Sequence, residues 1–244
     1  MKLINLAAVA LLAGLLNSCS SIPPVAVNGT VSATSVEATE ITLAASYANL
    51  AERGGKVFQL DPKLSTVRIY VFRAGSAARL GHNHVLSAPT FSGFVYVPDG
   101  ASAAARFDLA FRLDQLEIDK PEFRAALGGA FSSVISPEMI ASTREHMLGA
   151  ENMQAEQYPL VRIHALQITG ESPRFAAKVR VEMHGQAREM WLPLRVEGLP
   201  DRVTAAGSLV LRQSDFGIKP YSVFGGLMAV QDEVVIEFNL VGGK

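Results

Sequence analysis

Two histidines separated by one residue, His82 and His84, are the only local group of side chains whose types and spacing suit chemistry. In an extended segment, residues two apart point to the same side, so both imidazoles can face one ligand. A metal site built on them needs a third ligand from elsewhere in the chain. The pair therefore has two interpretations: a metal site, or a turn whose imidazoles bind backbone groups or a ligand head group. We predict no metal and keep the metal site, or a metal-dependent enzyme, as an alternative.

No other motif points to catalysis. The hydrolase patterns Gly-x-Ser-x-Gly and His-Glu-x-x-His are absent, and one cysteine permits neither a disulfide nor a two-cysteine zinc or redox motif. No glycine-rich phosphate loop or paired carboxylate motif stands out, and we interpret Arg212 and Asp215 as determinants of the fold. The sequence therefore predicts a binding protein without a cofactor rather than an enzyme.

The composition of the 244 residues is that of an ordinary globular protein, with 49% apolar and 18% charged residues. Lys and Arg number 22 against 23 Asp and Glu, and no basic block interrupts the chain. A protein that binds nucleic acid neutralises a row of phosphates with clustered basic side chains. The sequence therefore excludes nucleic acid as the expected partner.

The single cysteine, Cys19, follows a short positively charged start and an apolar run from Leu3 to Leu16. That run is too short to span a membrane and is typical of a secretory signal. Leu16-Asn17-Ser18-Cys19 resembles a bacterial lipobox, which predicts a lipoprotein signal peptide over residues 1–18 and lipidation of Cys19. We expect anchoring in the periplasm, at the outer membrane since Ser20 follows. The alternative is a plain signal peptide cut nearby, which leaves a free thiol.

Residues 19–55 are rich in Ser, Thr, Ala and Val, which suits a tether between a lipidated N-terminus and a folded domain. The alternative is that residues 37–50 form a helix leaning on the domain. The sequence leaves both open.

From Lys56 to the end, residues 56–244, apolar residues recur with period two, which indicates strands with one buried face. Turn clusters separate eight or more such strands, which predicts an all-β fold, an antiparallel barrel with one or two short helices. Ser136-Pro137-Glu138 and Gly149 predict the bounds of one helix, and residues 122–127 a second. The side chains predicted to face the interior include Phe107, Leu109, Phe111, Val179, Val181, Met183, Leu192, Leu194, Leu209, Leu211, Ile236 and Phe238.

A closed eight-stranded sheet has two possible interiors. It is either filled by its own side chains, as a solid barrel of an interaction protein, or hollow enough to hold one elongated ligand. The inward residues suit both, so the pattern alone does not decide.

Several segments, in order, resemble the YceI-like family of lipid- and polyisoprenoid-binding proteins. They cover about residues 56–241, nearly all of the predicted domain. They are Phe58-Gln59-Leu60-Asp61-Pro62, Gln157-Tyr158-Pro159, Met183-His184-Gly185-Gln186 and Arg212-Gln213-Ser214-Asp215-Phe216-Gly217 followed by Val230-Gln231-Asp232.

The resemblance implies an extended lipocalin-like barrel whose apolar cavity, lined by the inward residues named above, holds an isoprenoid or fatty lipid. It favours a membrane-anchored carrier or buffer of a long-chain lipid of the quinone or prenol type. The polar side chains expected at the cavity mouth are Arg79, His82 and His84.

Overall fold

The computed structural model describes residues 36–99 and 104–243. The predicted signal peptide, Cys19 and the first part of the predicted tether lie outside these residues. In chain order the elements are α1 (Val36–Ala51), β1 (Lys56–Leu60), β2 (Thr66–Ala74), β3 (His84–Ser87), β4 (Ser92–Val97), β5 (Arg106–Arg112), β6 (Glu117–Ile118), α2 (Pro121–Leu127), α3 (Pro137–Leu148), β7 (Leu160–Glu171), β8 (Arg174–Met183), β9 (Gln186–Glu197), β10 (Val203–Arg212), β11 (Ser222–Val223) and β12 (Met228–Gly243).

Eight antiparallel strands close into a barrel in the order β1, β4, β5, β7, β8, β9, β10 and β12, and β12 pairs back with β1. The predicted lipocalin-like antiparallel barrel is therefore confirmed. The register sets apolar residues opposite one another, as in Leu109 with Ile163 and Ile163 with Val181. Since directly paired residues point to the same side of a sheet, these rows form one continuous apolar inner surface.

The last strand, β12, is 16 residues long and pairs with two successive strands along one of its edges. Its end pairs with β1, and its earlier part pairs with β2, which continues in the same direction as β1. Strands β3 and β6 add to β2. This extension carries the His82 segment to the end of the barrel, beside Arg73.

The two predicted helices are present. The Ser136 hydroxyl accepts a hydrogen bond from the N–H of Met139 at 3.3 Å, Pro137 occupies the first turn, and Gly149 ends α3. This is the capping arrangement that the sequence predicts. Helix α2 similarly begins at Pro121.

A third helix, α1, lies where the sequence allowed either tether or helix. It packs on the outer face of β4, where Tyr47 stacks on Phe94 with ring centroids 5.3 Å apart. The Tyr47 hydroxyl donates to Asp108 Oδ2 at 2.7 Å, and His164 Nδ1 lies 2.6 Å from the other carboxylate oxygen. Burial, reinforced by the Asp108 carboxylate, raises the pKa of Tyr47 above its ordinary range, so the phenol stays protonated.

Within residues 36–99 and 104–243, no helix combines the length and apolar character needed to cross a membrane.

Candidate functional site

The barrel is hollow: it encloses a cavity of about 640 Å³ with an almost entirely apolar wall. This volume lies within the range of roughly 300–1,000 Å³ of small-molecule sites. The structure thus decides between the two interiors that the sequence left open. All twelve of the residues expected to line a lipid cavity are on its wall: Phe107, Leu109, Phe111, Val179, Val181, Met183, Leu192, Leu194, Leu209, Leu211, Ile236 and Phe238.

The cavity runs along the barrel from one end to the other. One end lies beside the β4–β5 and β9–β10 connections, at Ala105 and Leu199. The other, called here the α3 end, is bordered by α3, by residues 73–84 and by residues 213–230. An elongated apolar molecule therefore has a continuous path inside the barrel.

Polar side chains line the α3 end of the wall, and three of them are Arg73, His82 and His84. Nδ1 of His82 lies 3.1 Å from the Ser133 hydroxyl, and Nδ1 of His84 lies 2.6 Å from Asp119 Oδ2. Arg73 uses one guanidinium nitrogen to donate to the Gly81 carbonyl at 2.9 Å. A guanidinium has five N–H donors, so Arg73 retains donors for a further acceptor.

Arg79, predicted at the mouth, is not on the cavity wall. It lies in the one-turn 3-10 helix Ala78–Leu80, where Ala78 faces the cavity and the Arg79 side chain is exposed. Arg73 of β2, which was not among the predicted mouth residues, is on the wall.

A buried ion pair supports His84 from behind. Asp119 is 1% exposed and accepts from Arg124 Nη1 at 2.6 Å and from the Val85 N–H at 3.0 Å as well as from His84. Burial by itself would raise the pKa of Asp119, but the hydrogen bond and charge of His84, with the hydrogen bonds from the Val85 N–H and from Arg124, outweigh it and hold that pKa below its usual value. Asp119 is thus an ionised carboxylate that orients the His84 ring.

Burial, together with the positive charges of His84 and Arg124, lowers the pKa of His82. A neutral imidazole at His82 is therefore expected at pH 7.

Among residues 36–99 and 104–243, no group of three or more His, Cys, Asp or Glu side chains is placed to hold a metal ion. The arrangement offers hydrogen bonds and positive charge at one end of an apolar cavity, which suits a polar head on an apolar chain.

The sequence model of the YceI-like domain matches residues 58–242. The chain belongs to the YceI-like family. Proteins of this family are known to bind lipids and polyisoprenoids, and its barrels are generally binding proteins rather than enzymes. No curated protein sequence matches the chain significantly.

Two solved structures are among those that match this chain. The crystal structure of Burkholderia cenocepacia BcnA is 17% identical with a TM-score of 0.55, and the match covers 75% of this chain and 98% of that one. The Campylobacter jejuni YceI protein is 10% identical with a TM-score of 0.45, covering 65% and 84% respectively. At such identities the BcnA likeness establishes the barrel and nothing about the ligand.

In this YceI-like barrel, one face of α3 closes part of the α3 end of the cavity. Its residues were not among the cavity residues predicted from the sequence. The face consists of Met139, Ser142, Thr143, His146 and Met147. Their spacing is the i, i+3, i+4, i+7, i+8 pattern of one helix face, a signal present in the sequence.

The other histidines have structural partners. His146 Nδ1 lies 2.7 Å from the Ser142 carbonyl, and its ring is 5.0 Å from that of Tyr221 at the cavity. His164 pairs with Asp108 on the outer surface, and His184 Nδ1 lies 2.9 Å from the Phe216 carbonyl in a turn.

Proposed function

We propose that this protein holds one long-chain lipid, of the quinone or prenol type, inside its barrel and acts as a carrier or buffer. The observation that supports the proposal is the continuous apolar cavity of about 640 Å³ with a polar group at its α3 end. The apolar chain lies along the barrel, and the head lies at Arg73, His82 and His84. Guanidinium and imidazole donors bind carbonyl or phosphate oxygens of such a head.

The physical chemistry favours exchange over permanent capture. Burial of apolar surface contributes about 25 cal/mol per Å² relative to water. A membrane lipid, however, starts in a bilayer that is already apolar, so transfer into the barrel gains little from burial. Most of the binding free energy must therefore come from head-group contacts and from the fit of the lipid to the cavity. Binding is correspondingly reversible.

The proposal includes the location. A lipidated Cys19 anchors the protein to the periplasmic side of a membrane, the outer membrane, and keeps the barrel near its ligand's source. Two acyl chains give stable attachment, whereas a single chain gives marginal attachment.

The test uses residues 36–244, which include every described element, exported to the periplasm without the anchor and purified without detergent. We expect mass spectrometry of organic extracts to find an isoprenoid or fatty lipid at close to one per chain. An empty barrel that takes up no quinone or prenol from vesicles would overturn the proposal.

The head-group site is tested by the double variant Arg73→Gln, His82→Gln, which keeps polar side chains of similar reach. We expect the double variant to retain less quinone- or phosphate-headed lipid, with its circular dichroism unchanged. Arg195→Gln is the matched control, because Arg195 is exposed on β9 and is not on the cavity wall, so it should leave retention unaltered. Equal retention by all three proteins would remove the head-group assignment.

A further inference from the structure

Exposed large apolar side chains are concentrated around the α3 end of the cavity. Leu80, Phe224 and Leu227 are 65%, 75% and 50% exposed. The group, called here the rim, is completed by three further exposed residues that border the same opening. The rim consists of Leu80, Val134, Met139, Tyr221, Phe224 and Leu227.

Contacts between neighbouring segments bring the rim together. The Ala77 N–H donates to the Leu227 carbonyl at 2.8 Å, which joins the Leu80 turn to the hairpin that carries Phe224. Met139 and Tyr221 are both exposed and on the cavity wall, so they mark the opening itself. Val134 follows Ser133, which contacts His82.

The rim carries few charges. Residues 125–137 and 220–230 contain no charged side chain, and residues 75–81 contain only Arg79. The charged neighbours are the exposed Lys219 and, in the first turn of α3, Glu138. Exposed apolar patches of this kind mark protein or membrane contact sites, and basic residues beside one favour an anionic lipid surface.

The direction of α1 places the start of the described chain toward the same end. At its C-terminal side, the Gly54 carbonyl accepts from Tyr96 Oη at 2.9 Å and the Gly55 N–H donates to Asp99, beside the β4–β5 connection. Tyr47 packs on Phe94, which is nearer the α3 end. The N-terminal end of α1 therefore lies toward the α3 end. Sixteen residues separate Cys19 from Val36, and they reach up to about 55 Å when extended.

We propose that the rim docks on the surface of an anionic phospholipid bilayer, so that the cavity opens directly into the membrane. The inference rests on the proposed function, because docking places the opening where a lipid enters and leaves. The apolar rim inserts to the headgroup boundary, as interfacial apolar side chains do, and Arg79 and Lys219 contact lipid phosphates. The lipid then never crosses water.

The experiment uses the full chain in vesicles of phosphatidylethanolamine and phosphatidylglycerol that contain brominated phosphatidylcholine as a quencher. The chain has one tryptophan, Trp191, on the outer surface of β9 and 52% exposed, which serves as the matched control. Phe224→Trp and, separately, Leu80→Trp are made in a Trp191→Phe background. We expect the brominated lipid to quench both rim reporters and to leave wild-type Trp191 fluorescence unchanged.

Unquenched rim reporters on vesicle-bound protein would overturn docking, as would equal quenching of the rim reporters and Trp191. A rim that instead pairs with a second copy of the chain gives the first of these results. The lipid content of the purified barrel is measured separately, without vesicles. An empty barrel with quenched rim reporters would refute the proposed lipid binding and leave docking standing. A lipid-loaded barrel with unquenched rim reporters would refute docking and leave lipid binding standing.

Discussion

At the scale of single residues, the cavity's polar end depends on a carboxylate that does not face the cavity. Asp119 has a positive φ of 54°, lies behind His84 and pairs with the buried Arg124. Arg124 also donates to the Asn83 carbonyl and to Ser133, so it connects the segment carrying both histidines to the Ser133 segment that contacts His82. The network fixes the His84 ring before any ligand arrives, which reduces the ordering that binding requires.

Asp119→Asn tests this network. Asparagine tolerates a positive φ and has the same shape, so the substitution removes the charge and leaves the buried Arg124 unpaired. We expect the free energy of unfolding to fall by about 3 kcal/mol or more, measured by urea denaturation at pH 7. The control is Asp114→Asn, which breaks the exposed pair with Arg112 and should cost at most about 1 kcal/mol.

The pH dependence of stability, compared between wild type and Asp119→Asn, tests the ionised state of Asp119 a second time. The folded pKa of Asp119 is depressed, so its stabilising contribution is present above the unfolded pKa of about 3.9 and is lost as pH falls through the folded value. The stability difference between wild type and Asp119→Asn should shrink as pH falls below about 4. A difference that stays constant down to acid unfolding would contradict the assignment.

At the scale of elements, α1 is attached to the barrel through both apolar and polar contacts. Its buried Tyr47 packs with Phe94 and Tyr96, and the phenol bonds to Asp108, itself held by His164. A hydrogen bond to a charged group contributes about 1.5–3 kcal/mol. Helix α1 is thus fixed to the barrel.

Tyr47→Phe removes this hydrogen bond and keeps the stacked ring. We expect α1 amides to exchange with deuterium about tenfold faster or more, since 1.4 kcal/mol corresponds to a factor of ten. Tyr70→Phe is the matched control, because its phenol bonds to Glu237 at an exposed site and its loss should change stability by less than about 0.5 kcal/mol. Unchanged exchange of α1 in Tyr47→Phe would show that stacking alone docks the helix.

At the scale of the whole molecule, the barrel is closed by β1 and β12 and yet not filled. Fully buried side chains such as Phe216 and Ile218 pack in a cluster at the wall, while the axis stays open. Packed interiors are sensitive to added volume, whereas an open cavity is not.

Ala205→Trp should therefore fill the cavity at little cost. Ala205 is on the cavity wall, so we expect a loss of stability below about 1 kcal/mol together with loss of extractable lipid. Ala110→Trp, at a buried position on the outer face of β5, should destabilise by about 1–3 kcal/mol or more. Urea denaturation and mass spectrometry of extracts measure both effects, and equal destabilisation of the two variants would argue against an open cavity.

The sequence by itself determined the barrel and most of its inner surface. Side chains alternate sides along a strand, so residues such as Phe107 and Val181 are assigned to the interior from their spacing alone. The bounds of α3 could also be predicted from the sequence, because the capping residues Ser136 and Gly149 act within one turn of their own helix.

Only the tertiary structure decided that the interior is open, because the same apolar side chains suit a cavity and a solid core. It also decided which cation lines the cavity. Arg79 was predicted at the mouth because it is close to His82 and His84 in sequence, whereas the structure places Arg73 of β2 on the wall and Arg79 in an exposed 3-10 turn. Asp119 and Arg124 join His84 across more than 30 residues, and a contact between distant segments leaves no periodic signal in either of them.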